Sequence, residues 1–175
     1  MITLYTAVTL DGFIATKEGG VEFLENPRYQ LPDEDYGYTG FYEEIDTVVM
    51  GYNAYQQIIH FEGEYPYIGK HSLVFSKTGA ADKIPGDIEI TEQPEEMVIQ
   101  RLKREGKNVW IVGGGATNAR IHESGLIDRM ILTFLPLTLG SGIPIFRENQ
   151  GQQEWKNTGT RTFANGLVQI TLERR

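Results

Sequence analysis

The sequence predicts an α/β fold with a mostly parallel central sheet that ends in an antiparallel hairpin. Short apolar runs recur without alternation, as expected for strands covered on both faces. Helical patterns fall between those runs, the arrangement that parallel strands joined by right-handed crossovers require. In the last quarter, two strand-like stretches instead flank Ala164-Asn165-Gly166, a turn signal for an antiparallel pair at a sheet edge.

Residues 2–8, a mixture of branched and small side chains, give the first buried strand. Residues 26–40 are rich in Pro, Asp, Tyr and Gly and read as a long loop over one edge, a candidate substrate lid. Residues 46–50 form the second strand and residues 52–59 the helix that follows it. The third and fourth strands are residues 72–75 and 88–90. A helix over residues 94–105 has Pro94 at its first position, Glu95 and Glu96 in its first turn and Gly106 as terminator. Within it, Val98 and Leu102 are four apart and face the sheet. Residues 109–112 are the fifth strand, and residues 116–124 a helix stopped by Gly125. A long strand over residues 129–137 runs into the loop Thr138-Leu139-Gly140-Ser141-Gly142. Residues 155–163 and 167–173 make the hairpin. No repeat or linker interrupts the chain, so one domain spanning residues 1–175 is expected.

The composition removes several function classes. A formal net charge of -8, with no basic cluster beyond the pairs Lys103-Arg104 and Arg174-Arg175, argues against nucleic acid or an anionic membrane as partner. The absence of cysteine excludes disulfides, a thiolate nucleophile and a Cys-type zinc site. His60, His71 and His122 share no metal-ligand spacing, so no metal is expected, and His122 near a helix C-terminus reads as structural. The chain opens directly on a strand and has no apolar run of membrane-spanning length, so a cytoplasmic protein is expected.

The run Val109-Trp110-Ile111-Val112-Gly113-Gly114-Gly115-Ala116-Thr117 carries most of the functional information. It is a strand, three glycines and a helix start. Glycine permits positive φ and lets a ligand approach the main chain. The helix start offers unpaired N–H groups and the positive end of its dipole, a natural seat for phosphate or pyrophosphate. The alternative is a glycine turn needed only for chain reversal. Gly113 and Gly115 match the first two glycines of the dinucleotide fingerprint, but Asn118 stands in the third place and the run follows the fifth strand. A Rossmann domain of the usual kind is therefore not expected. Two more strand ends, Val48-Val49-Met50-Gly51-Tyr52-Asn53 and Leu73-Val74-Phe75-Ser76-Lys77, are expected to line the same crevice.

With Ala7-Val8-Thr9-Leu10-Asp11-Gly12-Phe13-Ile14-Ala15 near the start, Val49-Met50-Gly51, the triple-glycine run and Leu126-Ile127-Asp128 through Leu139-Gly140-Ser141-Gly142-Ile143-Pro144-Ile145-Phe146, the chain resembles the dihydrofolate reductase-like superfamily. Within it, the chain is most similar to the reductase domain of riboflavin biosynthesis (the RibD C-terminal domain) and its small stand-alone bacterial relatives. The resemblance implies a three-layer α/β/α fold with a central sheet of about eight strands. It also implies a bound NADPH, a homodimer, and reduction of a pyrimidine- or pteridine-like heterocycle, as by 5-amino-6-(5-phosphoribosylamino)uracil reductase or dihydrofolate reductase. By motif match, Gly113, Gly114, Gly115, Ala116 and Thr117 hold the pyrophosphate, with a cis peptide between Gly113 and Gly114. Ala7 and Ile14 border the nicotinamide. Gly51, Tyr52, Asn53, Ser76 and Lys77 meet the adenosine phosphate.

Where the family usually has Arg or Lys after Met-Gly, paired with the 2′-phosphate, this chain has Tyr52. A hydrogen bond to a charged group is worth about 1.5–3 kcal/mol, so NADH stands as an alternative cofactor, with Lys77 as a compensating cation. Thr9, Asp35, Tyr36 and Thr133 are the candidate substrate contacts. Thr133 matches a family threonine near the pterin pocket. Asp11 is the candidate catalytic residue, and a turn-forming Asp before Gly12 is the other reading of it. Asp33, Glu34 and Asp35 also read as solubilising charge. Tyr29, Tyr36, Tyr38, Phe41, Tyr42, Tyr52 and Tyr55 suit stacking on a flat ring, a lid packed on the sheet, or a subunit contact. A nucleotide-binding module without catalysis is the alternative function, and an interaction scaffold a third.

Overall fold

Each strand near the middle of the sheet presents apolar side chains to both faces, and that double burial sets the layering. The computed structural model describes residues 1–61, 63–78, 86–147 and 151–175. Its main sheet has eight strands in the order β5-β4-β3-β6-β1-β7-β10-β9. These are β1 (Ile2–Thr9), β3 (Thr47–Gly51), β4 (His71–Phe75), β5 (Ile88–Thr91), β6 (Val109–Gly113), β7 (Arg129–Leu135), β9 (Trp155–Thr162) and β10 (Val168–Arg174). The pairings from β5 across to β7 are parallel, and β10 runs antiparallel to both β7 and β9.

Successive residues on a strand point to opposite faces. Val49, Leu73 and Ile111 accordingly join a core with Val98, Ile99 and Leu102 of α3 (Glu95–Arg104) and Ile121 of α4 (Gly115–Glu123). Their neighbours Val48, Met50, Val74 and Trp110 join a second core with Phe41 of α1 (Tyr38–Glu44) and Tyr55 of α2 (Tyr52–Ile59). The result is a three-layer α/β/α fold. Burying each such side chain contributes about 1.5–3 kcal/mol, so a strand with two apolar faces is stabilised twice over.

Pro94 lies outside α3 as its N-cap, not at its first position. Its ψ of 139° is extended, and its carbonyl still accepts the Val98 N–H at 3.3 Å. The far end closes as expected at Gly106 (φ +72°). The Gly106 N–H reaches the Lys103 carbonyl at 3.1 Å and the Lys107 N–H the Leu102 carbonyl at 3.0 Å, a Schellman motif. The last part of the expected 26–40 loop begins α1, because Phe41 anchors it in the core and the Asp35 carboxylate takes the N–H groups of Gly37 at 2.8 Å and Thr39 at 2.9 Å. Tertiary packing here overrides weak local propensity. Strand β7 stops at Leu135 rather than residue 137, since Pro136 has no N–H to continue the ladder.

A separate two-stranded sheet pairs β2 (Phe13–Ala15) with β8 (Ile143–Pro144). These segments are too short to carry a periodic signal. The hairpin connection uses Gly166 alone at positive φ (+85°), with the Phe163 N–H on the Leu167 carbonyl and the Gly166 N–H on the Phe163 carbonyl, both at 2.9 Å. This is the three-residue connection with glycine in the left-handed position.

The β2–β8 pair depends on close main-chain approach, because a Cβ on Gly142 would collide with the Ala15 carbonyl oxygen and lie 3.2 Å from the Phe13 side chain. Gly142→Ala is expected to destabilise the protein by about 1–3 kcal/mol, read from the midpoint of urea unfolding at unchanged slope. Gly40→Ala, in α1 with nothing near the new methyl group, is expected to be neutral or to stabilise by about 0.5–1 kcal/mol.

Candidate functional site

Strands β3 and β6 are neighbours, but β3 leads outward to β4 while β6 leads across β1 to β7. Diverging connections of this kind open a crevice at the carboxyl ends of a parallel sheet. Helix α2 starts directly after Gly51 and α4 directly after Gly114, and among the described residues neither start carries a side-chain cap. Two helix starts with uncapped first-turn N–H groups therefore flank one crevice.

The glycines bring them together. A Cβ on Gly51 would lie 2.7 Å from the Thr117 Oγ1 at the start of α4. Gly113 has φ +127°, a region that only glycine occupies easily, and the Gly113–Gly114 peptide is cis. No described heavy atom lies within 4 Å of the position a Cβ would take at Gly114, so open space adjoins that residue. Gly115 is held from the other side by Pro144 and by the Arg147 N–H on its carbonyl at 3.0 Å. Asn118, in place of a third glycine, is fully buried and donates through Nδ2 to the Ile145 carbonyl at 2.9 Å. It fastens the segment after β8 to α4.

On the outer side of the cradle, Tyr52 and Asn53 are exposed at the start of α2. Ser76 is buried and Lys77 exposed just beyond β4, whose Phe75 pairs with Gly51. On the inner side lies β1. The tips succeed one another across the sheet as Ser76 and Lys77, Gly51, Gly113 to Thr117, Ala7 and then Thr133. That order brings two helix starts together at its middle, with open space beside Gly114.

At the inner end is a cavity of about 400 Å³. Its floor is Ala7 of β1 with Thr133 and Leu135 of β7, and Leu24, Tyr29, Glu34, Asp35, Tyr36 and Tyr38 wall it. Of the four candidate substrate contacts, Asp35, Tyr36 and Thr133 line this cavity. Thr9 does not. It is fully buried, donating from Oγ1 to Asp11 Oδ1 at 2.6 Å and accepting the Phe13 N–H at 3.0 Å. Ile14, expected beside the nicotinamide, is half-buried on β2 against the α3/α4 core.

Asp11 is exposed and does not line the cavity. Its carboxylate is occupied by Thr9 and by the N–H groups of Leu139 at 3.2 Å and Gly140 at 2.7 Å. The Thr9 hydroxyl and then the loop amides hold its pKa below the usual carboxylate value. This geometry is that of a loop clamp, closer to the turn-forming reading than to an acid that exchanges protons.

The lid is fastened to the C-terminal hairpin. Tyr36 sits at φ +58°, unusual for a bulky residue, and its surroundings hold it there. Its hydroxyl donates to the Tyr29 carbonyl at 2.6 Å and accepts from Asn165 Nδ2 at 2.8 Å. Its N–H donates to Glu34 Oε1 at 2.7 Å, and its carbonyl accepts from Gln169 Nε2 at 2.9 Å and Tyr5 Oη at 3.3 Å. Gln169 also donates to Thr133 Oγ1 at 3.0 Å, joining lid to floor. Arg161 pairs with Glu34 at 3.2 Å. Burial pushes the Tyr5 hydroxyl up to about 12, so it is a neutral donor at physiological pH.

The acidic run is therefore more than solubilising charge. Glu34 anchors the lid to β9, and Asp35 caps α1. The Thr39 hydroxyl, with the Thr39 and Gly37 amides, holds the Asp35 carboxyl down at about 2. The aromatics divide in the same way. Tyr29, Tyr36 and Tyr38 face the cavity, while Phe41 stacks on Tyr5 at 4.7 Å and meets Trp110 edge-on at 5.5 Å. Tyr55 is fully buried in the same core. Sequence reasoning missed Gln169, although its place between buried Leu167 and strand residue Thr171 puts an amide on an inward-facing row, where it must find partners. His122 is buried against Phe146 at 4.7 Å, and the described residues hold no cluster able to bind a metal. None of the described helices is long and apolar enough to cross a membrane.

A family model for the RibD C-terminal domain matches residues 69–169. The uncharacterized protein YwjB of Bacillus subtilis (strain 168) is 33% identical over 166 residues, covering 94% of this chain and 92% of that protein. A protein from Shewanella sp. PV-4, provisionally assigned to riboflavin biosynthesis, superposes with a TM-score of 0.86 at 26% identity over 99% of this chain and 98% of its own. The Thermotoga maritima diaminohydroxyphosphoribosylaminopyrimidine deaminase/5-amino-6-(5-phosphoribosylamino)uracil reductase shares the fold with a TM-score of 0.68. At 15% identity, that match covers all of this chain and 56% of the longer protein.

A carboxyl depressed from 3.8 to about 2 adds stability that is complete above about pH 4 and is lost as pH falls toward 2. Asp35→Asn is expected to lower the thermal midpoint at pH 7 and to flatten the decline between pH 4 and 2, followed by circular dichroism. Gln169→Leu leaves the Tyr36 carbonyl without its amide donor and is expected to cost about 1–3 kcal/mol in chemical unfolding.

Proposed function

The chain belongs to the RibD C-terminal domain family, and from that premise we propose that it is an NADPH-dependent oxidoreductase acting on a pyrimidine- or pteridine-like small molecule. The observation that carries this reading is the order of the strand tips. Two uncapped helix starts meet at Gly51 and Gly113–Gly115, and the next tips inward open into a cavity walled by aromatic rings.

In this reading the N–H groups at the start of α4, from Gly115 to Thr117, hold the pyrophosphate, and the space beside Gly114 receives it. Ser76, Lys77, Tyr52 and Asn53 meet the adenosine end. The 2′-phosphate falls to Lys77, a flexible point charge, because Tyr52 offers no cation. Ala7 borders the ring end of the groove, next to the heterocycle in the cavity. NADPH would supply the hydride; the protein's part is to orient both rings and keep water out. Asp35 is committed as an anion to α1 and cannot serve as the acid at neutral pH, and Asp11 stands outside the cavity.

That commitment of the nearby carboxylates favours one second reading, a nucleotide-binding module without turnover. Steady oxidation of NADPH in the presence of a pterin or pyrimidine, above the rate without protein, decides for the enzyme.

Titration with NADPH is expected to quench the fluorescence of Trp110, which lies three residues before Gly113 on β6. Gly114→Asp adds a side chain into open space and an anion beside the expected phosphate. It should leave the unfolding midpoint near that of the parent and abolish the quenching. Lys77→Gln is expected to weaken NADPH by about 10- to 150-fold while changing NADH little. Unchanged NADPH affinity in both variants would remove the assignment of the cradle.

A further inference from the structure

The cavity has a sign. Its volume of about 400 Å³ and its rings, Tyr29, Tyr36 and Tyr38, suit one flat heterocycle. Among the described residues that line it, the charged side chains are Glu34 and Asp35, and no Lys, Arg or His accompanies them. The Glu34 carboxylate is held toward the lid backbone by the Tyr36 N–H at 2.7 Å. The cation that approaches it, Arg161, is already bound to Glu34 at 3.2 Å and lies over the Phe163 ring at 4.8 Å. Asp35 takes neutral donors, the N–H groups of Gly37 and Thr39, so its negative charge stays whole.

We propose, resting on the reading above, that this cavity selects a heterocycle that is neutral or cationic and rejects one bearing a phosphate. A phosphate needs cations or clustered N–H donors, and the described lining offers it carboxylates instead. An ionised carboxylate can accept about four hydrogen bonds, so Glu34 and Asp35 retain capacity for exocyclic amino groups. On the floor, Thr133 Oγ1 already accepts from Gln169, which leaves its own O–H to donate to a ring nitrogen or carbonyl of the ligand. The Thermotoga maritima enzyme is named for a phosphoribosylated substrate. The side chains that line this cavity do not provide for that group.

The test is calorimetric titration of the full chain with uridine, uridine 5′-monophosphate and 2,4-diaminopyrimidine, at low and high salt, with NADPH titrated separately. Uridine and the diaminopyrimidine should bind, and the monophosphate should bind about 10- to 100-fold more weakly than uridine, the gap narrowing with salt. Glu34→Gln, which releases Arg161, should raise monophosphate affinity toward that of uridine. Asp35→Asn should act in the same direction if the first variant does not fold. Monophosphate binding equal to or tighter than uridine overturns the proposal. So does binding of none of the three probes, and NADPH binding in that case leaves the cofactor reading standing. Charge-selective probe binding without NADPH binding would support the cavity assignment and remove the cofactor.

Discussion

Nothing larger than a hydrogen atom fits between the end of β3 and the start of α4. A side chain at Gly51 would press on Thr117, and one at Gly115 would strike the Pro144 carbonyl. These contacts bring two helix starts to one crevice and fix α4 against the small β2–β8 sheet. The same sheet closes through Gly142 and is tied down by Asp11, which takes two amides from the facing loop. The first fifteen residues, the triple-glycine corner and the 139–147 segment thus act as one mechanical unit. Its parts are far apart in sequence and joined by main-chain proximity more than by side-chain packing.

The cavity end is built on a different principle. Its lid gains little from regular structure and is held by polar side chains reaching up from the last hairpin. Tyr36 is the hub, its unusual backbone angle offset by five hydrogen bonds and an edge-on contact with Phe163 at 4.9 Å. Buried polar networks of this sort are costly when incomplete and rigid when complete. The lid is therefore better described as a wall than as a flap.

Much of the sheet was legible because its strands are covered on both faces, which leaves unbroken apolar runs such as Thr47–Gly51 and Val109–Gly113 in the sequence. The glycine corner was legible because positive φ at Gly113 and the close approach of Gly51 to Thr117 both demand the same residue. The rest was hidden for physical reasons. Helix α1 owes its existence to Phe41 and to a cap supplied from outside the helix, neither of which has a periodic signature. Strands of two or three residues, such as β2 and β8, have no period to read. Asp11 and Thr9 stand in the Thr9-Leu10-Asp11-Gly12 motif, which reads the same in sequence whether its carboxylate meets a ligand or pins a loop. Only the partners Leu139 and Gly140 separate the two.

The hairpin that walls the cavity is joined to residues far from it in sequence. Arg161, Asn165 and Gln169 reach residues 29–36 across separations of 127 to 136 positions, among the longest loops the fold must close. Contacts so distant in sequence carry a large loop-closure entropy, which the polar network around Tyr36 must offset. Loosening the final strands would therefore release the walls of the cavity while leaving the contact between Gly51 and Thr117 in place.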